Sequence, residues 1–138
     1  MKKMLLVTVI LAVIFGVCVT ELVYTNHIFN DLLNKATELN VMLETLNEGI
    51  EKVDEKKSRS EKTLIKSSEI IKQWQEHKHK LMSFTHHHVV FELDRSIIRL
   101  DELVKIDHFA DCKLECRSII NSLTEIICYN KVLIQNIL

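Results

Sequence analysis

The strongest constraint on this chain is an uncharged apolar run close to its N-terminus. The run extends from Met4 to Thr20, follows Lys2 and Lys3, and ends before Glu21, the next charged residue. As an α-helix it would span roughly 25 Å, which approaches the ~30 Å hydrocarbon thickness of a bilayer. The run therefore predicts one transmembrane helix and a contact with membrane lipid.

The flanking charges predict the orientation of this helix. Two lysines on its N-terminal side favour a cytoplasmic N-terminus in the cell membrane. We therefore expect residues 1–23 to be a cytoplasmic tip and transmembrane anchor, and residues 24–138 to be an extracytoplasmic domain. A cleaved signal peptide is the alternative, with Gly16 and Cys18 as small residues near a cut. No A-x-A pattern is present, and Val17 before Cys18 argues against a lipoprotein signal, so a retained anchor is favoured.

Glycine and proline are almost missing from the sequence. The chain of 138 residues contains two glycines and no proline, and turns depend heavily on both residue types. This composition predicts an all-α fold made of a few long helices. The formal net charge of -1 offers no basic surface for a nucleic acid, and we expect none as a partner.

A seven-residue apolar repeat follows the membrane run and predicts a long helix. Its stripe consists of Phe29, Leu32, Ala36, Leu39, Leu43, Leu46, Ile50 and Val53. Neither glycine nor proline occurs between Val17 and Glu48, so the membrane helix is predicted to continue directly into this one. The charged segment 54–60 is the first predicted break, and Ser58 with Glu61 would form a capping box for the second helix.

Three further apolar stripes follow, separated by breaks at 83–88 and 107–111. The second stripe consists of Leu64, Ser67, Ile71, Trp74, Lys78 and Leu81. The third consists of Val90, Leu93, Ile97, Leu100 and Val104. The fourth consists of Phe109, Cys112, Cys116, Ile119, Leu123 and either Ile126 or Ile127. The tail 129–138 is apolar without a clear period. Short connections between helices predict an antiparallel bundle of about four helices, arranged as two helical hairpins.

The order of these features resembles a family of short proteins. Trp74 is followed by His87 or His88 at the start of the next helix, then by Ser96-Ile97-Ile98-Arg99-Leu100 and finally by Asn136-Ile137-Leu138. This layout is similar to the uncharacterised domain-of-unknown-function family 4363, membrane-anchored helical proteins of low-GC Gram-positive bacteria. The resemblance covers essentially the whole chain and implies a membrane-anchored helical architecture in the cell envelope. It implies no reaction, and the cysteines and consecutive histidines depart from the family pattern.

Histidines and cysteines are the residues that would bind a metal ion if the chain had such a site. The candidate ligands are His86, His87, His88, His108, Cys112 and Cys116. Imidazole and thiolate are common zinc ligands, but neither H-x3-H within one helix nor C-x2-C occurs here. Cys112 and Cys116 fall on an apolar stripe, where free cysteine behaves as a small hydrophobic residue. An antiparallel hairpin would also place the histidine triplet and the two cysteines at opposite ends of the third helix. We therefore expect no metal site and no cofactor.

The sequence contains no motif that indicates catalysis. It has no glycine-rich phosphate loop, no G-x-S-x-G and no H-E-x-x-H, so we expect that the protein is not an enzyme. The leading hypothesis is a structural or protein-interaction module of the cell envelope, with a protein partner in the membrane or envelope. One alternative is a metal-binding or metal-sensing envelope protein that uses histidine and cysteine. Another is an accessory subunit of a larger membrane complex.

Overall fold

The computed structural model describes residues 2–47, 53–82, 85 and 87–137, and within these ranges the chain forms four α-helices. They are α1 (Lys2–Asn47), α2 (Val53–Met82), α3 (His87–Lys105) and α4 (Phe109–Ile137). Each helix packs against the next one along the chain, and α4 closes the ring by packing against α1. The all-α prediction of an apolar N-terminal helix and a four-helix bundle is confirmed.

Helix α1 has two halves with different surroundings. The half up to Cys18 is exposed, whereas the half from Thr25 onward contributes one face to the core. Within the exposed half, the hydroxyl groups of Thr8 and Thr20 donate hydrogen bonds to the carbonyls of Met4 and Gly16, at 3.0 and 2.9 Å. These bonds leave the surface of the run almost wholly apolar. Among the described helices, α1 alone is long and apolar enough to cross a membrane, a property that a signal sequence shares.

The core of the bundle follows the predicted stripes of α1, α3 and α4. The predicted positions that are buried are Phe29, Leu32, Ala36, Leu39, Leu43, Leu46, Val90, Leu93, Ile97, Leu100, Val104, Cys112, Cys116, Ile119, Leu123 and Ile126. Of the two residues predicted for the last position of the α4 stripe, Ile126 is buried and Ile127 is only half-buried. Two predicted positions, Ile50 and the side chain of Val53, lie outside the described residues.

The predictions for α2 need two corrections. Segment 54–60 is not a break, because α2 begins at Val53, and Ser58 and Glu61 therefore lie inside the helix and form no capping box at its start. Glutamate and lysine favour helices, and a run of them can form a solvated helical surface. The buried stripe is also shifted by one residue at two positions, where Thr63 and Ile70 are fully buried in place of Leu64 and Ile71.

The shift in α2 has a physical cause. Leu64 is 44% exposed, while the polar residues Thr63 and Ser67 are buried. The Ser67 hydroxyl donates to the Leu64 carbonyl at 2.9 Å, which satisfies it within its own helix. A small hydroxyl residue satisfied in this way can face the core. Ser67 is therefore buried as predicted, and Thr63 is buried where the prediction placed Leu64.

The turn between α3 and α4 lies inside the predicted segment 107–111. Asp107 adopts a left-handed conformation with φ of 56°, and its N–H donates to the Val104 carbonyl at 3.2 Å. The N–H of His108 donates to the Leu103 carbonyl at 3.0 Å. This pair of bonds is a Schellman motif, which ends α3 and reverses the chain. Helix α4 then continues to Ile137, so the tail that showed no period is helical as well.

The stripes predict how the bundle responds to charge. We expect Leu43→Asp and Leu100→Asp to lower the free energy of unfolding by several kcal/mol, a large part of the roughly 5–15 kcal/mol of a typical domain. The reason is that each places an unpaired carboxylate in a fully buried position. Thermal unfolding of the full chain in detergent, followed by circular dichroism, measures the effect.

Matched controls lie two residues away on the exposed sides of the same helices. Val41→Asp and Ile98→Asp introduce the same charge where the native side chains are 55% and 52% exposed. We expect both controls to melt near the wild-type temperature. Equal melting of core variants and controls would contradict the assignment of the core.

Candidate functional site

The first group of candidate ligands lies at the start of α4. The ring nitrogen Nδ1 of His108 lies 3.0 Å from Oδ2 of Asp111, on the exposed side of the turn. The side chains of Cys112 and Cys116 point the other way and are fully buried. The Cys116 thiol donates a hydrogen bond to the backbone carbonyl of Ala36 at 3.1 Å. The thiols therefore serve the contact between α4 and α1, and His108 does not face them.

Burial makes these two thiols difficult to ionise. Desolvation raises the pKa of Cys112 to about 11 and that of Cys116 to about 12, from an ordinary value of 9.0. A metal ion binds the thiolate rather than the thiol, so a raised pKa opposes binding. The expectation that both cysteines are core residues is confirmed by their burial. All four cysteines of the chain are free thiols.

The second group of candidate ligands lies at the opposite end of the bundle. His87 and His88 begin α3 and are exposed, and Nε2 of His88 lies 3.8 Å from Oε1 of Glu92. His86 lies outside the described residues. At 1.5 Å per residue, the length of α3 separates these histidines from the His108 end by roughly 27 Å. Among the residues that the structure describes, no group of three histidine, cysteine or acidic side chains could hold a metal ion.

A partly buried polar junction between α2 and α3 is a contact that the sequence analysis does not predict. The indole N–H of Trp74 donates to Oδ1 of Asp94 at 2.7 Å, and the Lys78 ammonium donates to both oxygens of this carboxylate at 3.0 Å. Trp74 was expected in the core and is buried there. The available signal was Lys78, a charged residue on an otherwise apolar stripe, which required an acidic partner on a neighbouring helix.

A polar layer lies at the end of the core that is nearest to the apolar half of α1. Asn130 of α4 is fully buried on the stripe that continues from Ile126, and Thr25 of α1 is buried as well. The contact of Cys116 with Ala36 sets the register of α4 against α1. Asn130 lies roughly 21 Å from this contact toward the C-terminus of α4, and the turn before Thr25 lies about as far from it toward the N-terminus of α1. The two positions are therefore at the same level of the bundle.

Several buried polar atoms of this layer have no hydrogen-bond partner among the described residues. They are Nδ2 and Oδ1 of Asn130, Oδ1 of Asn26 and Oγ1 of Thr85. The hydroxyls of Ser96 and Ser118, 3.2 Å apart, set the register of α3 against α4 and bring Thr85 close to the level of Asn130. Buried polar groups usually find partners, so this layer is where the bundle is incomplete on its own. The sequence signal for it was Asn130 at the next buried position after Ile126.

The outer face of α3 is the remaining candidate surface. Phe91 is 67% exposed and Ile98 is 52% exposed, although large apolar side chains usually face the core. Arg95 lies between them, and Arg99 lies 3.1 Å from Glu115 of α4. Together with Asp94 and Glu102 these residues line a groove of about 390 Å³.

Comparison with known proteins returns one family. A family model described as "Domain of unknown function (DUF4363)" matches residues 23–137, which include the whole packed bundle. No curated protein matches the chain, and no solved structure matches it.

The buried thiols lead to a prediction about metal binding. We expect the reduced full chain to bind no stoichiometric zinc and to unfold at the same temperature with and without a chelator, because a bound ion would require ionised Cys112 and Cys116 inside an apolar core. Equilibrium dialysis followed by elemental analysis measures the bound metal. One-to-one zinc binding that disappears in Cys112→Ser and His108→Ala variants would contradict this prediction.

Proposed function

Because the chain belongs to the DUF4363 family, whose domain has no known function, we propose a function from the geometry of its own bundle. The protein is a membrane-tethered helical module of the cell envelope that binds another protein of the same membrane. It acts by binding and catalyses no reaction. Helix α1 holds it in the bilayer with the N-terminus in the cytoplasm and residues 24–138 outside.

The observation that carries this proposal is the outer face of α3. Phe91 and Ile98 are exposed on a helix whose other side is fully packed, so their exposure does not result from a loose core. Aromatic and arginine side chains contribute most to the binding energy of many interfaces. The pattern of Phe91, Arg95 and Ile98 along one ridge of α3 is therefore typical of a binding surface.

The chemistry of this face indicates what the partner offers. Arg95 is exposed and has no ion-pair partner among the described residues, whereas Arg99 is paired with Glu115. A complementary segment would place an apolar side chain between Phe91 and Ile98 and a carboxylate beside Arg95. A partner in the same membrane benefits from the tether, which raises the effective concentration of the two proteins.

The accessory-subunit hypothesis is a special case of the same proposal. A permanent subunit would be purified from the membrane in a fixed ratio to the rest of its complex. A transient partner would be lost during purification. The metal-binding hypothesis remains the second class of function, but none of the described contacts favours it. The interaction-module and accessory-subunit hypotheses both use the α3 face to bind a protein, so the test of that face applies to both.

The orientation of the tether is tested with reporter fusions. We expect a reporter that is active only outside the cytoplasm to be active when fused after Leu138, because the two lysines keep the N-terminus inside. We also expect the Met1 end to persist in the mature membrane protein. A signal from a cytoplasm-only reporter at the same position would reverse the orientation, and loss of the N-terminal segment would replace the anchor with a cleaved signal.

The binding face is tested by site-specific photocrosslinking in native membranes. A photoreactive residue at position 91 should give one discrete adduct with a membrane protein, while the same residue at position 114 should give none. Leu114 is a close control because it is 64% exposed, comparable with Phe91, but lies on α4 away from the groove.

The chemistry of the partner is tested in the same experiment. Arg95→Glu should reduce the yield of the position-91 adduct by roughly tenfold or more, since a like-charge contact at an interface costs several kcal/mol. Arg95→Lys should retain most of it. Equal adducts from positions 91 and 114, or none from either, would exclude the α3 face as the binding surface.

A further inference from the structure

We propose that the last two turns of α4 lie in the membrane interface beside α1, so that the bundle has a second contact with lipid. The bundle then stands on the bilayer, with the C-terminal end of α2 and the N-terminal end of α3 toward the lipid headgroups. This inference rests on the proposed membrane tether. The occupant of the surface is the outer leaflet of the bilayer that holds α1.

The first argument is the short distance between the apolar run and the core. Helix α1 continues without interruption from Lys2 to Asn47, so no flexible linker separates its two halves. The run ends at Thr20 and the first fully buried core position is Thr25. This separation is roughly 7.5 Å, which is about the thickness of the headgroup region on one side of a bilayer. The end of the bundle must therefore touch the headgroups if α1 spans the membrane.

The second argument is the register of α4 against α1. The short contact with the backbone fixes it, because the Cys116 thiol bonds to the Ala36 carbonyl at 3.1 Å. Counted from this contact in opposite directions along the two helices, the end of α4 falls beside the segment 15–24 of α1. Burial agrees with this register, because Val19 and Leu133 are both half-buried. The end of α4 is therefore level with the last turns of the apolar run.

The third argument is the composition of that end. The sequence from residue 129 reads Tyr-Asn-Lys-Val-Leu-Ile-Gln-Asn-Ile-Leu. Val132 is 55% exposed, and Tyr129 is exposed one turn before it. Tyrosine and lysine are common at the boundary between lipid and water, where the apolar part of the side chain enters the lipid and its polar end stays outside. Tyr129 and Lys131 suit this boundary, Val132 adds an exposed apolar contact, and the exposed amides of Gln135 and Asn136 keep this end at the level of the headgroups.

The polar layer provides a fourth, independent argument. The amide of Asn130 and the hydroxyl of Thr85 are buried without a partner among the described residues, and both lie at this end of the bundle. Buried polar groups are costly unless they form hydrogen bonds. The headgroup region supplies phosphate and ester oxygens and ordered water, which can bond to such groups. On α1 and α2 the same end carries Lys80, which lies 3.5 Å from Glu21 and 4.6 Å from the Tyr24 ring centroid.

The test measures the depth of α4 in lipid bilayer nanodiscs made of phosphatidylcholine and phosphatidylglycerol. The full chain carries Cys18→Ser and Cys128→Ser, and one nitroxide is attached through Val132→Cys or through Leu114→Cys. Cys112 and Cys116 remain because they are buried and resist labelling. Relaxation of the nitroxide by oxygen and by a water-soluble nickel chelate reports its depth, and circular dichroism confirms that each variant is folded.

We expect the position-132 label to be relaxed strongly by oxygen and several-fold less by the nickel chelate than the position-114 label. Position 114 is the matched control, because it is exposed on the same helix near its other end. Equal access of the nickel chelate to both labels would overturn the second lipid contact.

A label on the native Cys18 in a Cys128→Ser background separates this outcome from failure of the tether. Cys18 is exposed on the apolar run, so a tethered chain buries its label in lipid. A lipid-buried label at position 18 with a water-exposed label at position 132 would refute the inference and leave the proposed tether intact. A water-exposed label at position 18 would refute both.

Discussion

The continuity of α1 is the constraint on which the rest of the structure depends. One helix supplies both the apolar run and a quarter of the bundle, and no glycine or proline allows it to bend between the two. The other three helices cover only the part from Val19 onward and leave the run exposed. The position of the bundle relative to any membrane is therefore set by helical geometry and not by a linker. Because α1 is continuous, the number of residues between the apolar run and the core sets the height of the bundle above the bilayer.

The core could be predicted wherever leucine, isoleucine, valine or phenylalanine forms the stripe, because burial of these side chains stabilises the bundle most. The prediction was wrong at two positions of α2, where Thr63 and Ile70 are buried in place of Leu64 and Ile71, and Ser67 is buried as predicted. Other residues of that helix are positioned by partners on neighbouring helices. Gln73 donates to Asp31 of α1 at 2.7 Å, and Trp74 and Lys78 bond to Asp94 of α3. Such pairings connect residues far apart in the sequence, and no local period contains them.

The candidate metal ligands show how topology limits inference from residue type. Cysteine and histidine are frequent ligands, yet a site requires that they converge. The antiparallel arrangement places His87 and His88 at one end of α3 and the Cys112 region at the other, and this separation followed from the order of the helices alone. The burial of the thiols followed from their positions on the apolar stripe of α4, but the contact that the Cys116 thiol makes did not. That contact depends on the close approach of Cys116 to the Ala36 backbone, which a small residue on α1 permits. A bulkier side chain at position 36 would hold α4 further away.

The two ends of the bundle consequently differ in chemistry. At the end far from the apolar run, the α3–α4 turn satisfies its own backbone through the Schellman motif, and Ser60 donates to Asp107 at 3.2 Å. At the other end, both polar atoms of the Asn130 amide and the Thr85 hydroxyl are buried without partners in the described part of the chain, whereas toward the far end Oδ1 of Asn40 is the one such atom among the described residues. A bundle that stood free in water would be expected to satisfy or expose such groups at both ends alike. The asymmetry is explained if the end beside the apolar run meets a second environment, and the continuous α1 places the bilayer there.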